Sequence, residues 1–397
     1  MQIGLVGKPS SGKSTFFSAA TLVDVAIANY PFTTIEPNTG IGFVRVDCVD
    51  REFRVQCNPR TGYCVNHVRY VPVELIDVAG LVPGASEGKG RGNQFLSDLA
   101  QADCLIHVVD ASGSTNSEGE VCTPGSHDPL VDIEFFEREL DAWYVQVIQR
   151  NWRRFNRTPF TSQTEKISAL AQNLSGIGAR EHTIEKALLN SNLTEIRLEK
   201  WSEDDQKKFG HELRLLAKPI VVAANKMDVP AAAKNLERLK GKLGENAIGC
   251  SAIAELTLKK AAKEGFIEYY PGQNAFVRKK ELADNQAKGM EYIQAHVLAT
   301  MGGTGVQAVL EKTVFDILRY IAIFPAGTKK LEDSQGRVLR DCLLLPPGST
   351  ALDFAFKLHT DMGKGFIRAI DVKTHQMIGK DHPLKSRDAV EIVFRAP

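Results

Sequence analysis

The run Gly7-Lys8-Pro9-Ser10-Ser11-Gly12-Lys13-Ser14 has the spacing G-x-x-x-x-G-K-[ST], with which a chain wraps its backbone around phosphate groups. Gly7 and Gly12 let backbone N–H groups point at phosphate oxygens, and a helix opening near Lys13 adds the positive end of its dipole. Lys13 would bridge the outer two phosphates and Ser14 would offer its hydroxyl to Mg²⁺, with Thr15 following on the same turn. Further along, Asp77-Val78-Ala79-Gly80 is a D-x-x-G arrangement: Asp77 is placed beside the metal and the Gly80 N–H near the terminal phosphate. Asn225-Lys226-Met227-Asp228 then specifies the base. An ionised Asp228 accepts from the ring N–H and exocyclic amine of guanine, donors that adenine does not present together at that edge. Asn225 would tie the base loop to the phosphate loop, Lys226 would lay its stem along the ring, and Ser251-Ala252 would present a backbone N–H to the guanine oxygen. Between the first two motifs, a polar segment with two prolines carries Thr33 and Thr34. Either threonine is a candidate to complete the magnesium shell while the terminal phosphate is present; the alternative is a pair of turn threonines.

These side chains need elements to converge them. Short apolar, β-favouring runs at 2–6, 73–77, 219–224 and 247–250 each end at a motif or just before one, and with a further run at 104–110 they predict a mostly parallel sheet with helices on both faces. The gap from residue 110 to 219 far exceeds a helical crossover and predicts an insert. Ile133, Phe136, Leu140, Trp143 and Val147 recur at helical steps, and 165–174 and 204–216 are polar-apolar stretches that could pack against that helix. The insert reads either as a hairpin covering its own apolar face or as a partner-binding arm. Arg150, Arg153, Arg154 and Arg157 with Trp152 form a basic and aromatic cluster, read as a solvated helix end with RNA contact as the alternative. From about residue 331 the texture changes to short β-type runs with a helix-like stretch at 351–359 and strands at 366–372 and 389–394, a β-grasp layout.

Bulk properties narrow the classes. A chain of 397 residues predicts two or three domains, and 49 basic against 48 acidic side chains exclude a global positive field as the means of binding nucleic acid. The seven cysteines lack C-x-x-C pairs, so reduced thiols in a reducing compartment are expected; Cys48, Cys57 and Cys64 as three ligands of one metal are the alternative. The first residues run straight into the phosphate motif without a leader pattern, and no stretch reaches membrane-span length, so a soluble, cytoplasmic protein is expected.

Taken together, the Asn-Tyr-Pro-Phe-Thr-Thr loop at 29–34, the run Asp77-Val78-Ala79-Gly80-Leu81-Val82-Pro83-Gly84-Ala85, the glycine-rich stretch 87–93 and the tail resemble the Obg-related, YchF-like GTPases in their archaeal form. The resemblance covers nearly the whole chain. It implies a P-loop G domain at 1–127 and 217–322, a coiled-coil-like helical insert at 128–216, and a TGS β-grasp domain at 323–397. It further implies a monomer that binds GTP and GDP, hydrolyses GTP, and associates with the ribosome or ribosomal RNA through insert and TGS domain. Leu81 stands where many switch GTPases hold a water-orienting glutamine, so slow intrinsic hydrolysis is expected, with nucleotide binding without hydrolysis as the contrary reading. Ser10 stands where potassium-activated relatives hold an asparagine, which argues against potassium activation. Some members of the group lack the guanine-reading set and prefer ATP; this chain keeps it, so GTP is expected and ATP is the alternative.

Overall fold

The computed structural model describes residues 1–22, 38–78, 98–155, 160, 162–333 and 335–395. They divide into two compact units: Met1–Ala19 with Glu74–Val309, and Ala20–Val73 with Leu310–Pro397.

The first unit is built on a parallel sheet. Strand β1 is Gln2–Val6, followed by helix α1, Lys13–Thr21. In the chain order of the whole protein the further strands are β2 (Thr39–Asp47), β3 (Tyr63–Val65), β4 (Val68–Asp77), β5 (Cys104–Asp110), β6 (Ile220–Asn225) and β7 (Ala247–Gly249). The order across the first unit is β4-β1-β5-β6-β7, every pair parallel. Strand β5 is buried at all of its positions, as a central strand covered on both faces must be, which is why its sequence is a continuous apolar run rather than an alternating one. Parallel pairing brings the carboxyl ends of β4, β1, β5 and β6 to one edge, where the motif residues lie.

The insert contains four α-helices: α2 (Pro129–Phe155), α3 (Gln163–Asn173), α4 (Glu181–Asn190) and α5 (Glu203–Ala217). The sequence reading anticipated α2, α3 and α5 and passed over α4. Its Ile184, Ala187 and Leu188 are buried at helical spacing, but so short a helix gives a weak periodic signal. Phe136, Leu140, Tyr144, Phe209 and Leu213 share one apolar cluster with Val6, Ile76 and Leu105 of the sheet, so the insert extends the core of this unit. Trp152 packs its ring against that of Trp201, centroids 5.4 Å apart and planes tilted by 30°, a packing role rather than an exposed platform for bases. Beyond β7, helix α6 having preceded it at Ala232–Leu243, come α7 (Ala252–Lys263), the hairpin of β8 (Ile267–Glu268) and β9 (Val277–Arg278), and α8 (Asp284–Ile293). Leu258, Tyr269, Met290 and Val297 close a second small core there, which the sequence reading did not anticipate.

The second unit contains a five-stranded sheet of order β11-β10-β14-β12-β13, with β10 at Ile321–Pro325, β11 at Leu343–Leu345, β12 at Phe366–Asp371, β13 at Met377–Ile378 and β14 at Ala389–Phe394. β10 and β14 are parallel and the other pairs antiparallel, a β-grasp. Helix Ala351–Leu358 lays Ala351 and Phe354 against Ile323, Ala369 and Val390. Its start is fixed by Thr350 and Asp353, whose side chains reciprocally bond the helix-end N–H groups. His359 is exposed and caps the next short helix by accepting from the Asp361 N–H at 3.2 Å.

Candidate nucleotide-binding site

The phosphate loop leaves β1 at Gly7, which is pressed against β5: a Cβ there would lie 2.5 Å from the Val108 carbonyl oxygen. Gly12 has φ +91°, and a Cβ on it would lie 2.2 Å from Asn225 Nδ2. Both glycines of the motif are therefore required by close approach. Lys8 is drawn away from the loop mouth, donating to the Thr115 carbonyl at 2.7 Å and pairing with Asp132 at 2.9 Å. Pro9 and Ser10 are exposed, Ser10 with φ 61°, while Ser11 is fully buried with its hydroxyl lacking a partner among the described residues. Ser14 is exposed and Thr15 half-buried in the first turn of α1. At the far end of α1, Lys259 donates to the Ala19 carbonyl at 2.6 Å.

Lys13 and Asp77 form an ion pair, Asp77 being the last residue of β4, in register with Leu5 of β1. Their side chains remain 13% and 22% exposed, so the pair lies where an incoming phosphate can displace the carboxylate from the ammonium. Ser14 and Asp77 offer only oxygen donors, the set a hard divalent ion such as Mg²⁺ takes, and the carboxylate already faces the phosphate loop; the residues fit that ion. Thr33, Thr34, Gly80 and Leu81 lie outside the described residues, as does the stretch 87–93.

At the other end, Asn225 is 3% exposed and uses its whole amide. Its Nδ2 donates to the Ser11 carbonyl at 3.0 Å, and its Oδ1 accepts from the Ala252 N–H at 3.0 Å. One side chain thus joins the phosphate loop to the loop after β7. Asp228 Oδ1 accepts from the Ser251 hydroxyl at 2.6 Å, and the Asp228 carbonyl accepts from Tyr292 at 2.8 Å. Lys226, at φ 67°, reaches across to Asp110 Oδ2 at 2.9 Å and to Ser114 at 3.3 Å. Burial would raise the Asp110 carboxyl, but hydrogen bonds from Ser112, Lys226 and Thr115 outweigh it and hold it below the usual carboxylate range.

Sequence reasoning missed this last network and the support under Ser251. Ser112, Ser114 and Thr115 all donate to Asp110, folding the loop after β5 beside the phosphate loop, where a Cβ on Gly119 would lie 2.7 Å from Pro9. The signal was Asp110-Ala-Ser-Gly-Ser-Thr: a carboxylate at a strand end followed by short hydroxyl side chains that bond back to it. Similarly, the Thr304 carbonyl accepts the Ser251 N–H at 2.8 Å, and Gly305 packs so tightly that a Cβ would lie 2.0 Å from the Gly249 carbonyl oxygen. The signal there was the glycine-rich run Gly302-Gly303-Thr304-Gly305, whose spacing marks a turn without saying what it touches.

Comparison with known proteins shows which family the chain resembles. Residues 2–131 match a family model described as 50S ribosome-binding GTPase, 223–327 one described as Obg-like GTPase YGR210-like, G4 motif-containing domain, and 324–394 the TGS domain. An uncharacterized GTP-binding protein of Methanocaldococcus jannaschii is 43% identical over 99% of both chains. The ribosome-binding ATPase YchF of Bacillus subtilis is 28% identical, covering 94% of this chain and 89% of that one. The crystal structure of a GTP-binding protein from Pyrococcus horikoshii aligns over all of both chains with a TM-score of 0.77 and 38% identity.

Proposed function

Since the chain belongs to the Obg-related, YchF-like family of P-loop GTP-binding proteins, we propose that it is a guanine-specific switch whose GTP and GDP states differ in affinity for the ribosome or its RNA. The observation that carries the reading is the shared Asn225 amide, which makes the Ser11 end and the Ala252 end parts of one scaffold. Two loops held that way can grip opposite ends of a single nucleotide.

In this reading Gly7 to Thr15 cradle the phosphates, Lys13 exchanges Asp77 for the outer two phosphates, and Ser14 with Asp77 and Thr33 or Thr34 hold Mg²⁺. The bound ion would neutralise charge on the phosphate oxygens. Gly80 offers its N–H to the terminal phosphate. Leu81 cannot orient water, so turnover is slow until a partner supplies that group. Asp228, held by Ser251, reads guanine; Lys226 covers the ring and Ala252 meets the guanine oxygen. The division into a G domain at 1–127 and 217–322, an insert at 128–216 and a TGS domain at 323–397 assigns nucleotide chemistry to the first and docking to the other two. A cytoplasmic monomer fits this use, and among the described residues no helix is long and apolar enough to cross a membrane. Ribosome docking is supported by the Bacillus relative's name.

Competition between GTP and ATP, with single-turnover hydrolysis and co-sedimentation measured with and without ribosomes, tests the proposal. Preference for GTP, slow release of phosphate that ribosomes accelerate, and nucleotide-dependent sedimentation are expected. Tighter ATP binding would overturn the base assignment, and no turnover in either condition would leave a nucleotide sensor instead of a hydrolytic switch.

A further inference from the structure

The second unit contains a group of side chains that nucleotide chemistry does not use. Cys48, which follows β2, Asp50 in the next turn, Cys57 in the following loop and Cys64 of β3 bring one sulfur or carboxylate oxygen each to within 4.8 Å of one another. The three cysteines, scattered in sequence, are one cluster in space. Asp50, Cys48 and Cys57 are buried and Cys64 half-buried. Sγ of Cys48 lies 3.6 Å from Sγ of Cys57, and Sγ of Cys64 lies 3.7 Å from Asp50 Oδ2. Ligand atoms at zinc–sulfur and zinc–oxygen bond lengths around a tetrahedral ion stand ~3.5–3.8 Å apart. Those two edges are of the right length, and the others lie within 4.8 Å.

The surroundings hold those atoms in place and balance their charge. β3 and β4 form a hairpin whose turn residues, Asn66 and His67, both have positive φ, and Cys64 lies directly across it from Arg69. That turn carries the His67 ring to 2.8 Å from Asp50 Oδ1, and the His67 carbonyl accepts the Cys48 N–H at 2.8 Å. Asp50 Oδ2 also accepts from the Cys57 N–H at 3.2 Å. A carboxylate oriented by a histidine is the outer support that metal ligands commonly need. Arg69 is fully buried; one nitrogen donates to the Leu339 carbonyl at 2.6 Å, while Nε and Nη1 make no hydrogen bond among the described residues. A buried cation in that condition calls for nearby negative charge.

We propose that Cys48, Cys57 and Cys64 with Asp50 form a structural site for one thiolate-preferring divalent cation, zinc being the fit. Three thiolates and a carboxylate around a divalent ion keep a net negative charge, which the buried Arg69 guanidinium partly offsets. Three sulfurs favour Zn²⁺ over the oxygen-seeking ions, and four protein ligands leave no open position for substrate, so the site is structural. What it would fix is the loop bearing Cys57. That loop is joined to the β-grasp part of the same unit by Asn58 N–H to the Val338 carbonyl at 3.2 Å and Arg60 N–H to the Arg340 carbonyl at 2.8 Å. The spacing C-x8-C-x6-C, with an aspartate in place of a fourth cysteine, explains why a search for paired cysteines does not find it.

The test is elemental analysis of the full-length protein purified reduced and without chelator, followed by Co²⁺ titration of the metal-stripped protein. About one zinc per chain is expected, with Co²⁺ giving the intense visible bands of a tetrahedral thiolate site and Zn²⁺ displacing it. Cys64→Ser should lose at least nine-tenths of the zinc, and Cys122→Ser, outside the cluster, should retain it. The Co²⁺ titration decides the question even if Cys64→Ser fails to fold. Protein free of zinc that gives no tetrahedral Co²⁺ spectrum, or a Cys48–Cys57 disulfide persisting under reducing conditions, would overturn the proposal.

Discussion

The edge of the parallel sheet and the thiol cluster of the second unit both gather charged groups, and they do so in opposite ways. At the sheet edge each charge has a provisional protein partner, Lys13 with Asp77 and Asp228 with Ser251, and the key pair is still open to water. The thiol cluster gathers potential anions around a carboxylate with no exposure, beside a fully buried guanidinium. The first arrangement suits a ligand that comes and goes, because exchanging one partner for another costs little. The second suits an ion that stays, because its removal would leave like charges buried together.

That contrast makes ligand affinity the sensitive quantity at the sheet edge and stability the sensitive quantity at the cluster. The largest effect should come from Gly12→Ala. The added Cβ would collide with the Asn225 amide at a backbone angle that L-residues avoid, so guanine-nucleotide affinity measured by fluorescent-nucleotide titration should fall roughly 100-fold, from the loss of about 3 kcal/mol of phosphate and loop hydrogen bonds. Bound zinc should not change. Unaltered affinity would show that the phosphate loop tolerates a side chain at this position and that nucleotide binding does not depend on its contact with Asn225.

Acid separates the two regions at an intermediate scale. Buried His107 of β5 has its pKa pushed down to about 3 from 6.5, first by burial and then by Lys8. As pH falls below the unfolded value, the unfolded chain takes up a proton that the folded sheet refuses. Stability contributed by this neutral histidine is therefore present above pH 6.5 and is lost progressively towards pH 3. Between pH 6.5 and about 5 the loss should be roughly 2 kcal/mol. His107→Leu should flatten that part of a denaturation-versus-pH curve while leaving acid release of metal from the thiols intact. An unchanged slope in the variant would show that the acid sensitivity arises elsewhere.

The smallest effect belongs to Tyr292→Phe, which removes the 2.8 Å bond to the Asp228 carbonyl. Guanine-nucleotide affinity should weaken by about 1 kcal/mol, around fivefold, since a neutral hydrogen bond at an exposed position is worth that much. A change approaching that of Gly12→Ala would mean that the base loop depends on Tyr292 more than on Asn225.

Legibility followed contiguity along the chain. The phosphate loop and Asn225 to Asp228 could be read because each places several functional groups within a few residues of a strand end, where local geometry alone aims them. Glu181–Asn190 was missed because a short helix carries little periodic signal, and Trp152 suggested a surface role until Trp201 was found against it. Asp110, Thr304 and Tyr292 act through loops whose neighbours in space are distant in sequence.

By itself the sequence determined the nucleotide motifs, the parallel α/β class and the β-grasp tail, since these follow from local spacing and from the period of apolar residues. Only the tertiary structure decided that the Asp110 network lies beside the phosphate loop and that Cys48, Asp50, Cys57 and Cys64 meet. Such meetings depend on strand register and on a hairpin turn, which fix where distant residues lie while leaving no repeat in the sequence to announce them.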